Sequence, residues 1–569
     1  MKERVMGRNQ VRVGMLFVIC SIGVVFALSG QAVGGRHGGG GGGGGGGMMS
    51  TTLSTFQTAD FVGSGVCALC HSGLTDSAGQ NVSIDAHWRS TMMGNSSKDP
   101  LWQAKISSEI SRNPALKAVI EEKCSRCHMG MARYQAMTDG TEVSVLSPGF
   151  LNANHPLHTA AMDGVSCTLC HQVQEENLGT IDSFTGLYII DTLSSPPYRL
   201  AFGPYNNPFK NPMEMHSGFS PTAGTQAIDS ALCGSCHTLF TPSVDAGGNV
   251  LGEFPEQTTF LEWEHAVQGA GGLTVKTCQD CHMPDANGSV VISNRPRRLS
   301  PRSPFGQHHF VGGNAFMVNL LKANSAALGV TADASHLDAT IARTDAQLQG
   351  KTATVVIDSA SVEQGLLTLN LTVENRSGHK FPSGIPARRS WLHVTVKDGA
   401  GRVLFESGAP QTNGSIAGND ADADPDAYEP HYDLITSVDE VQIYEPIMLD
   451  SSGRVTYTLL RAYSYAKDNR LLPVGFDKLS APVDVAAWGQ AADDGNFTAG
   501  QDRVTYQVDV SGSAGRLTVV AELLYQAVSY PFAENLRQDG TELTTRFLGQ
   551  YDVAGKAPRL VATTQAFVQ

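Results

Sequence analysis

The 569-residue chain has few charged residues and no excess of basic ones. Only 17% of its residues are charged, and 40 Lys and Arg face 54 Asp and Glu, for a formal net charge of -14. Nucleic-acid binding needs a broad basic surface, so we expect no nucleic-acid partner. The chain holds 61 Gly and 26 Pro, which predicts a loop-rich protein rather than a helical bundle.

Long apolar runs are also scarce, and the longest lies near the N-terminus. Residues 13–28 are apolar, four basic residues precede them, and the small-x-small sequence GQA follows at 30–32. This pattern predicts a secretory signal at 1–32 and no membrane span after its cleavage. The alternative is an uncleaved anchor, although the run is short for the ~20 residues of a span. Ten glycines, Gly38 to Gly47, make 33–57 a flexible linker.

Cysteine is nearly absent outside one repeated motif. Of 11 cysteines, Cys20 lies in the apolar run and ten fall in five Cys-x-x-Cys-His sequences, numbered here motifs 1 to 5 in chain order. The motifs are Cys67, Cys70 and His71; Cys124, Cys127 and His128; Cys167, Cys170 and His171; Cys233, Cys236 and His237; and Cys278, Cys281 and His282.

The spacing of the motif matches covalent haem attachment. Two thiols three positions apart can form thioethers with one haem, while the next residue offers an imidazole to the iron. A disulfide scaffold or a zinc ribbon needs no histidine after every second cysteine. We therefore expect five haem c groups, attached outside the cytoplasm in agreement with the signal.

The organisation of the chain changes near residue 350. Residues 58–348 contain all five motifs and signals for short helices, which predicts a pentahaem cytochrome domain. Residues 349–569 contain no cysteine and alternate apolar with polar residues, which predicts an immunoglobulin-like β-sandwich. The expected fold class is thus mixed, a loop-rich helical domain followed by an all-β domain. Six strands are predicted, at 367–373, 391–397, 438–444, 455–460, 504–510 and 517–525.

The histidines outside the motifs are the candidates for the second protein ligand, the distal ligand, of each haem iron. Twelve of the 17 histidines remain for this role. Local context favours His87, His158, His216, His309 and His379 as distal ligands. His155 competes with His158 and His308 with His309; Met92, Met93 or Met129 are alternatives, and His265 and His431 are ambiguous.

An acidic loop at 419–426 offers carboxylates at every second position, as a Ca²⁺ site requires. It departs from the EF-hand pattern, with Pro425 at the glycine position and no glutamate at the twelfth. A solvated acidic turn is the favoured interpretation, and calcium is the alternative.

Several short sequence segments resemble those of bacterial multihaem c-type cytochromes related to the cytochrome c554 group. Besides the motifs these are GVSCTLCH at 164–171, CHTLFT at 236–241, EFPEQ at 253–257 and GHKFP at 378–382. The resemblance implies periplasmic or extracellular electron transfer, stacked haems and mostly bis-histidine ligation. Nitrite-reducing pentahaem cytochromes hold their catalytic haem with Cys-x-x-Cys-Lys, which is absent here.

Together these features predict an exported electron carrier of anaerobic or extracellular respiration, in the periplasm or on the outer surface, with no catalytic residue assigned. Its partners would be redox proteins or an extracellular acceptor, and assembly into an oligomer or complex stays open. One alternative is an oxidoreductase acting on a small nitrogen or sulfur compound at a five-coordinate haem. Another is a structural subunit of a conductive filament.

Overall fold

A computed structural model describes residues 53–269 and 276–569. The predicted signal at 1–32, and the predicted linker up to residue 52, lie outside the described residues. Within the described ranges, no helix combines the length and the apolar character that crossing a membrane requires.

The fold mixes short helices with small sheets. The α-helices are α1 (Ser64–His71), α2 (Ile84–Arg89), α3 (Pro100–Arg112), α4 (Lys117–His128), α5 (Gly130–Thr138), α6 (His158–Met162), α7 (Cys167–Cys170), α8 (Asn211–Ser217), α9 (Ser230–His237), α10 (Thr259–Gly269), α11 (Cys278–His282), α12 (Ala315–Ala323), α13 (Ser325–Leu328), α14 (Ala334–Gln347), α15 (Asp420–Ala423), α16 (Gln490–Asp493), α17 (Tyr530–Leu536) and α18 (Glu542–Val553). Short 3₁₀ turns occur at Pro114–Leu116, Thr225–Ile228 and Leu459–Arg461, and a π turn at Leu348–Thr352.

The strands are concentrated after residue 350. They are β1 (Arg199–Gly203), β2 (Phe219–Ala223), β3 (Leu239–Val244), β4 (Val250–Gln257), β5 (Ala353–Glu363), β6 (Leu366–Asn375), β7 (Arg389–Lys397), β8 (Val403–Ser407), β9 (Leu434–Ile435), β10 (Ile443–Tyr444), β11 (Pro446–Leu449), β12 (Ser464–Asp468), β13 (Gln501–Asp509), β14 (Leu517–Gln526) and β15 (Arg559–Val568). The two largest sheets have the orders β5-β6-β13-β9 and β10-β7-β14-β15, with β8 beside β7.

All five motifs lie on short helices, α1, α4, α7, α9 and α11, and each motif histidine ends its helix or follows it directly. Residues three and four positions apart share one face of a helix. The helical conformation therefore turns both thiols and the imidazole of a motif to the same side.

Local signals explain where α3 and α4 begin. The Asp99 side chain accepts hydrogen bonds from the backbone N–H groups of Leu101 and Trp102, and Pro100 occupies the first helical position. Pro114 starts the 3₁₀ turn that leads into α4, which ends in motif 2. Asp-Pro at 99–100 and Asn-Pro at 113–114 are sequence signals for a helix start, although the Asn113 side chain caps no backbone N–H here.

The two large sheets enclose a common hydrophobic core. Leu367, Leu369, Leu371 and Val373 alternate along β6 and are all fully buried, as the sequence pattern predicts. Apolar side chains of β7 and β14 pack in the same cluster. Within these two sheets, neighbouring strands are antiparallel except β9 and β13, which run parallel. The immunoglobulin-like classification stays a prediction.

Two predicted strands were wrong. At 438–444 only Ile443–Tyr444 form a strand, and at 455–460 only an isolated bridge at Val455 precedes the 3₁₀ turn Leu459–Arg461. The Glu109 carboxylate accepts hydrogen bonds from the backbone N–H groups of Leu459 (2.7 Å) and Leu460 (3.3 Å). A distant carboxylate thus satisfies backbone donors that a neighbouring strand would otherwise pair.

The helical and β-rich segments are joined through buried contacts. Helix α3 packs against α18, Arg112 forms an ion pair with Asp539 at 2.7 Å, and Lys105 donates a hydrogen bond to the Tyr457 carbonyl at 2.7 Å. The described residues of both segments belong to one compact unit. The proposed domain boundary at 348/349 stays a prediction.

Candidate haem-binding cavity

A cavity of about 2170 Å³ runs through the helical segment and reaches the β-rich one. All ten motif cysteines and all five motif histidines line it. Pockets for one small ligand typically measure ~300–1,000 Å³, so this space suits several large groups. The five motifs, which are separate in the sequence, thus line one continuous cavity.

Thiols of different motifs contact one another inside the cavity. The thiols of Cys67 and Cys167, of Cys127 and Cys236, and of Cys233 and Cys278 lie close enough for each to shift the pKa of the other. None of the ten motif cysteines forms a disulfide. The contacts link motif 1 with motif 3, motif 2 with motif 4, and motif 4 with motif 5.

Motif 3 completes this connected arrangement. Burial raises the pKa of the Cys170 thiol to about 12, and Cys236 lies close enough for its thiolate charge to contribute to the same shift. The contacts therefore run from motif 1 through motifs 3 and 4 to motif 5, with motif 2 attached at motif 4. Motifs 1 and 5 are the ends of this path.

Four of the five motif imidazoles are oriented by backbone carbonyls. Their Nδ1 atoms lie within hydrogen-bond distance of a carbonyl oxygen: His71 and Ile292 at 2.7 Å, His128 and Ser96 at 3.1 Å, His171 and Phe202 at 2.6 Å, His282 and Val311 at 2.5 Å. Because a carbonyl only accepts, Nδ1 carries the proton and Nε2 keeps its lone pair. This is the arrangement of a metal-ligating histidine.

Burial also favours the neutral form of two motif histidines, His128 and His237. It lowers the pKa of His128 and that of His237 to about 4, and nearby His282 and Arg388 contribute to the shift at His237. A histidine must be neutral to bind a metal, so the cavity favours the ligating form near neutral pH.

Two further histidines face motif histidines at a distance that fits one iron between them. The ring centres of His282 and His379 are 6.4 Å apart with planes 12° from parallel, and those of His171 and His308 are also 6.4 Å apart, at 29°. Two metal–imidazole bonds of about 2 Å each and two ring radii of about 1 Å each add to about 6 Å. The histidine that faces His171 of motif 3 is His308, and not the adjacent His309 that was predicted as a distal ligand.

His216 is the third additional histidine in the lining of the cavity. It lies on α8, which packs against α1, the helix of motif 1. Its role as a distal ligand stays a prediction.

The structure places three predicted distal ligands outside the lining of the cavity. His87 and His309 contact each other instead, with ring centres 4.5 Å apart at 62°. His158 begins α6, where its Nδ1 lies 2.8 Å from the Phe150 carbonyl oxygen. Of the methionine alternatives, Met92 and Met93 line the cavity, whereas Met129 is buried in another cluster.

Buried charges hold the loop that carries His379. Lys380 forms an ion pair with Asp468 at 2.8 Å, and Asp468 pairs with Arg470, which reaches Glu262 of α10 at 2.8 Å. Glu262 also accepts a hydrogen bond from the Lys380 backbone N–H. The two neighbouring cations hold the pKa of Asp468 well below its usual range. Sequence reasoning missed this network, whose only signal was a charged stretch at 467–470.

Motif 2 has a different, polar environment. The Trp102 ring stacks on the His128 imidazole at 4.5 Å and 6°. Lys105 and Glu109 form a buried pair at 3.1 Å. Burial, together with the charge of Glu109, raises the pKa of the lining residue Glu256 to about 7. Besides the five motif histidines, the described cavity lining contains three others, His216, His308 and His379. None of these three rings stacks on His128 or His237.

Several buried polar atoms of the lining have no hydrogen-bond partner in the described protein. They include Trp102 Nε1, Arg388 Nε and the Tyr525 hydroxyl. Buried polar groups normally have partners. These three donors suit a ligand with acceptor groups, as the carboxylates of haem provide, so the residues present fit this cofactor.

The acidic loop predicted as an alternative calcium site is engaged elsewhere. Asp422 forms a buried ion pair with Arg389 at 2.8 Å, and its other oxygen accepts the Ile416 backbone N–H. Asn419 accepts the Ala421 backbone N–H at the start of α15. These contacts favour the structural turn, and calcium binding stays a prediction.

A second cluster resembles a metal site in composition but behaves as a hydrogen-bond network. His431 Nε2 lies 3.0 Å from Asp494 and 3.7 Å from Asp502. The amides of Gln442 and Asn469 both donate to His431 Nδ1. Their oxygens accept backbone N–H groups of Tyr432 and Glu445, which fixes the amide orientation. Nε2 therefore carries the proton and donates to Asp494.

Comparison with known proteins gives one distant structural likeness. No protein-family description and no curated protein matches the chain. The fold is similar to the crystal structure of a penta-heme cytochrome c552 from Thermochromatium tepidum, with a TM-score of 0.46 and 17% sequence identity over 85% of this chain and 95% of that one.

Proposed function

We propose that this protein is a multihaem c-type cytochrome that transfers electrons along five covalently bound haems. The observation that carries the proposal is the single cavity lined by all five motifs. Thiol contacts between motifs bring the attachment points next to one another, so neighbouring macrocycles would lie close enough for rapid electron exchange. The haem iron supplies the redox chemistry. The chain attaches, orients and buries it.

The histidine geometry supports a specific set of ligand pairs. We propose His282 with His379, His171 with His308, and His71 with His216. Backbone carbonyls orient His71, His171 and His282 through Nδ1, which leaves Nε2 for the metal. His308 replaces His309 in the predicted set, and His87 and His158 are not needed for these three pairs.

The same geometry favours a second candidate function. His128 and His237 lack a facing histidine in the described cavity lining. One of these haems would then be open to a small nitrogen or sulfur compound, and buried groups such as Glu256 could supply protons. This second candidate is a multihaem oxidoreductase rather than a pure carrier.

The cellular context is also part of the proposal. Haem attachment outside the cytoplasm and the predicted signal at 1–32 support a periplasmic or outer-surface location. The redox partners would be proteins or an extracellular acceptor of anaerobic or extracellular respiration. Membership of the c554-related group rests on the sequence phrases alone.

Intact mass and electron paramagnetic resonance of the purified oxidised holoprotein test the function. Five covalent haems per chain are expected, with at least three low-spin bis-histidine signals. A high-spin signal that shifts on addition of nitrite, hydroxylamine or sulfite would favour the oxidoreductase. A protein that carries no covalent haem after production in a haem-attaching host would contradict both functions.

A further inference from the structure

The two ends of the motif path differ from its middle in exposure. Leu69, between the cysteines of motif 1, is 53% exposed, and Asp280 of motif 5 is exposed as well. The corresponding residues of motif 3, Thr168 and Leu169, are buried, as are those of motif 4. Electrons would therefore enter or leave most directly at motif 1 or motif 5.

The surface beside motif 1 is basic. Arg295, Arg297 and Arg298 are exposed, and their side chains form no ion pair or hydrogen bond with any described residue. Their segment is fixed to the motif itself, because the Asn294 backbone N–H donates to the Cys70 carbonyl at 2.8 Å. The carbonyl of Ile292 in the same segment orients His71.

A neighbouring loop adds another cation and exposed apolar surface. Arg302 donates hydrogen bonds to the carbonyls of Asn206 and Asn207, which ties the basic segment to this loop. Next along the loop, Lys210 is exposed and Met215 is 80% exposed beside His216, whereas the exposed Phe209 lines the proposed haem cavity. Apolar side chains next to charged ones are typical of a protein-docking surface.

We propose that an acidic redox protein docks on this surface, formed by Lys210, Arg297, Arg298 and Met215, and exchanges electrons through the haem of motif 1. The inference rests on the proposed function and adds the site and the charge of the partner.

Charge supports a partner of this kind. The chain as a whole has a net charge of -14, so an acidic protein is repelled by most of its surface. Lys210, Arg297 and Arg298 outnumber the nearby acidic residues, which are Glu214 on α8 and Asp285 near Tyr205. Local attraction combined with general repulsion orients the encounter and places the partner against the motif 1 end.

Stopped-flow reduction of the oxidised holoprotein by a reduced plant-type [2Fe–2S] ferredoxin, an acidic protein, tests the proposal. At about 10 mM ionic strength, where the Debye length is about 30 Å, the double variant Arg297→Glu, Arg298→Glu should lower the second-order rate constant by about tenfold or more. The difference should vanish as salt is raised toward about 1 M.

Arg503→Glu with Arg516→Glu is the matched control, because both arginines are exposed elsewhere and the net charge changes equally. A similar loss in this control would show a general charge effect and overturn the proposed site, as would an unchanged rate in the motif 1 variant. Equal slowing with dithionite, a small dianion, would indicate a site for small anions instead of a protein. Normal reduction of both variants by methyl viologen shows that the haem path still works, so failure of docking is distinguishable from failure of the proposed function.

Discussion

The imidazoles of His282 and His379 face each other 6.4 Å apart and nearly parallel, although 97 residues separate them in the sequence. His282 belongs to motif 5, and His379 follows β6 of the sheet region. A single iron fits between two such rings. Through this pair, the β-rich segment would take part in the proposed cofactor site instead of only covering it.

The first prediction separates His308 from its neighbour. His308→Ala should convert one low-spin haem to high-spin, because His308 faces His171 at 6.4 Å, whereas His309→Ala should leave the spin state unchanged. Electron paramagnetic resonance of each oxidised variant measures this. The reverse result, with only His309→Ala producing the high-spin signal, would contradict the assignment.

The second prediction concerns the buried charges around Lys380. Asp468→Asn should lower the free energy of unfolding by about 3–5 kcal/mol, because it leaves Lys380 and Arg470 buried without their shared carboxylate. It should also weaken ligation by His379 and raise the high-spin fraction. Denaturant titration and spin-state measurement on the same sample test both effects.

Asp450→Asn is the control for this network, since its partner Arg454 is largely exposed. An exposed pair contributes about 0–1 kcal/mol, so little change is expected. Equal destabilisation by both variants would show that the buried network has no special role.

The third prediction is a pH dependence of stability from Asp502. Burial raises the pKa of this carboxyl to about 7 in the folded protein, against an ordinary value of 3.8. The folded state then binds more protons than the unfolded state, so this contribution to stability declines as pH rises from about 4 and is lost by about pH 8, just above the folded pKa. Asp502→Asn should remove the decline and make the protein relatively more stable at pH 8, measured by thermal melting.

His431 acts in the opposite direction, which the melting experiment must include. Burial lowers its folded pKa to about 4, against 6.5, so its contribution to stability is lost as pH falls below about 6.5. The Asp502→Asn variant should retain this loss at low pH. A variant whose melting temperature still declines between pH 6.5 and 8 as in the parent would contradict the role given to Asp502.

The fourth prediction couples electrons to protons at motif 2. Glu256 lies in the cavity near Cys124 with its pKa raised to about 7. Reduction adds negative charge, which raises this pKa further, so the haem potential should increase as pH falls through about 7. Glu256→Gln should remove this dependence for one haem in pH-resolved redox titrations.

Glu253→Gln on the same strand is the matched control, because Glu253 is 59% exposed. Its side chain faces solvent and should leave the titrations unchanged. An identical effect of both substitutions would exclude a specific role for Glu256.

The sequence by itself determined the features that depend on local spacing. Five Cys-x-x-Cys-His motifs define the proposed haem attachment sites, because two thiols and an imidazole lie within five residues in each motif. Alternation at 367–373 defined β6, and Asp99 with Pro100 defined the start of α3. Each of these is set by neighbours in the chain.

Only the tertiary structure decided which distant groups meet. The choice of His308 over His309 depends on which ring points into the cavity, which adjacent positions in a loop do not reveal. The anchoring of His379 depends on Asp468, Arg470 and Glu262, which come from three separate segments. Burial makes such pairings strong, and burial is a property of the folded chain rather than of any short stretch of it.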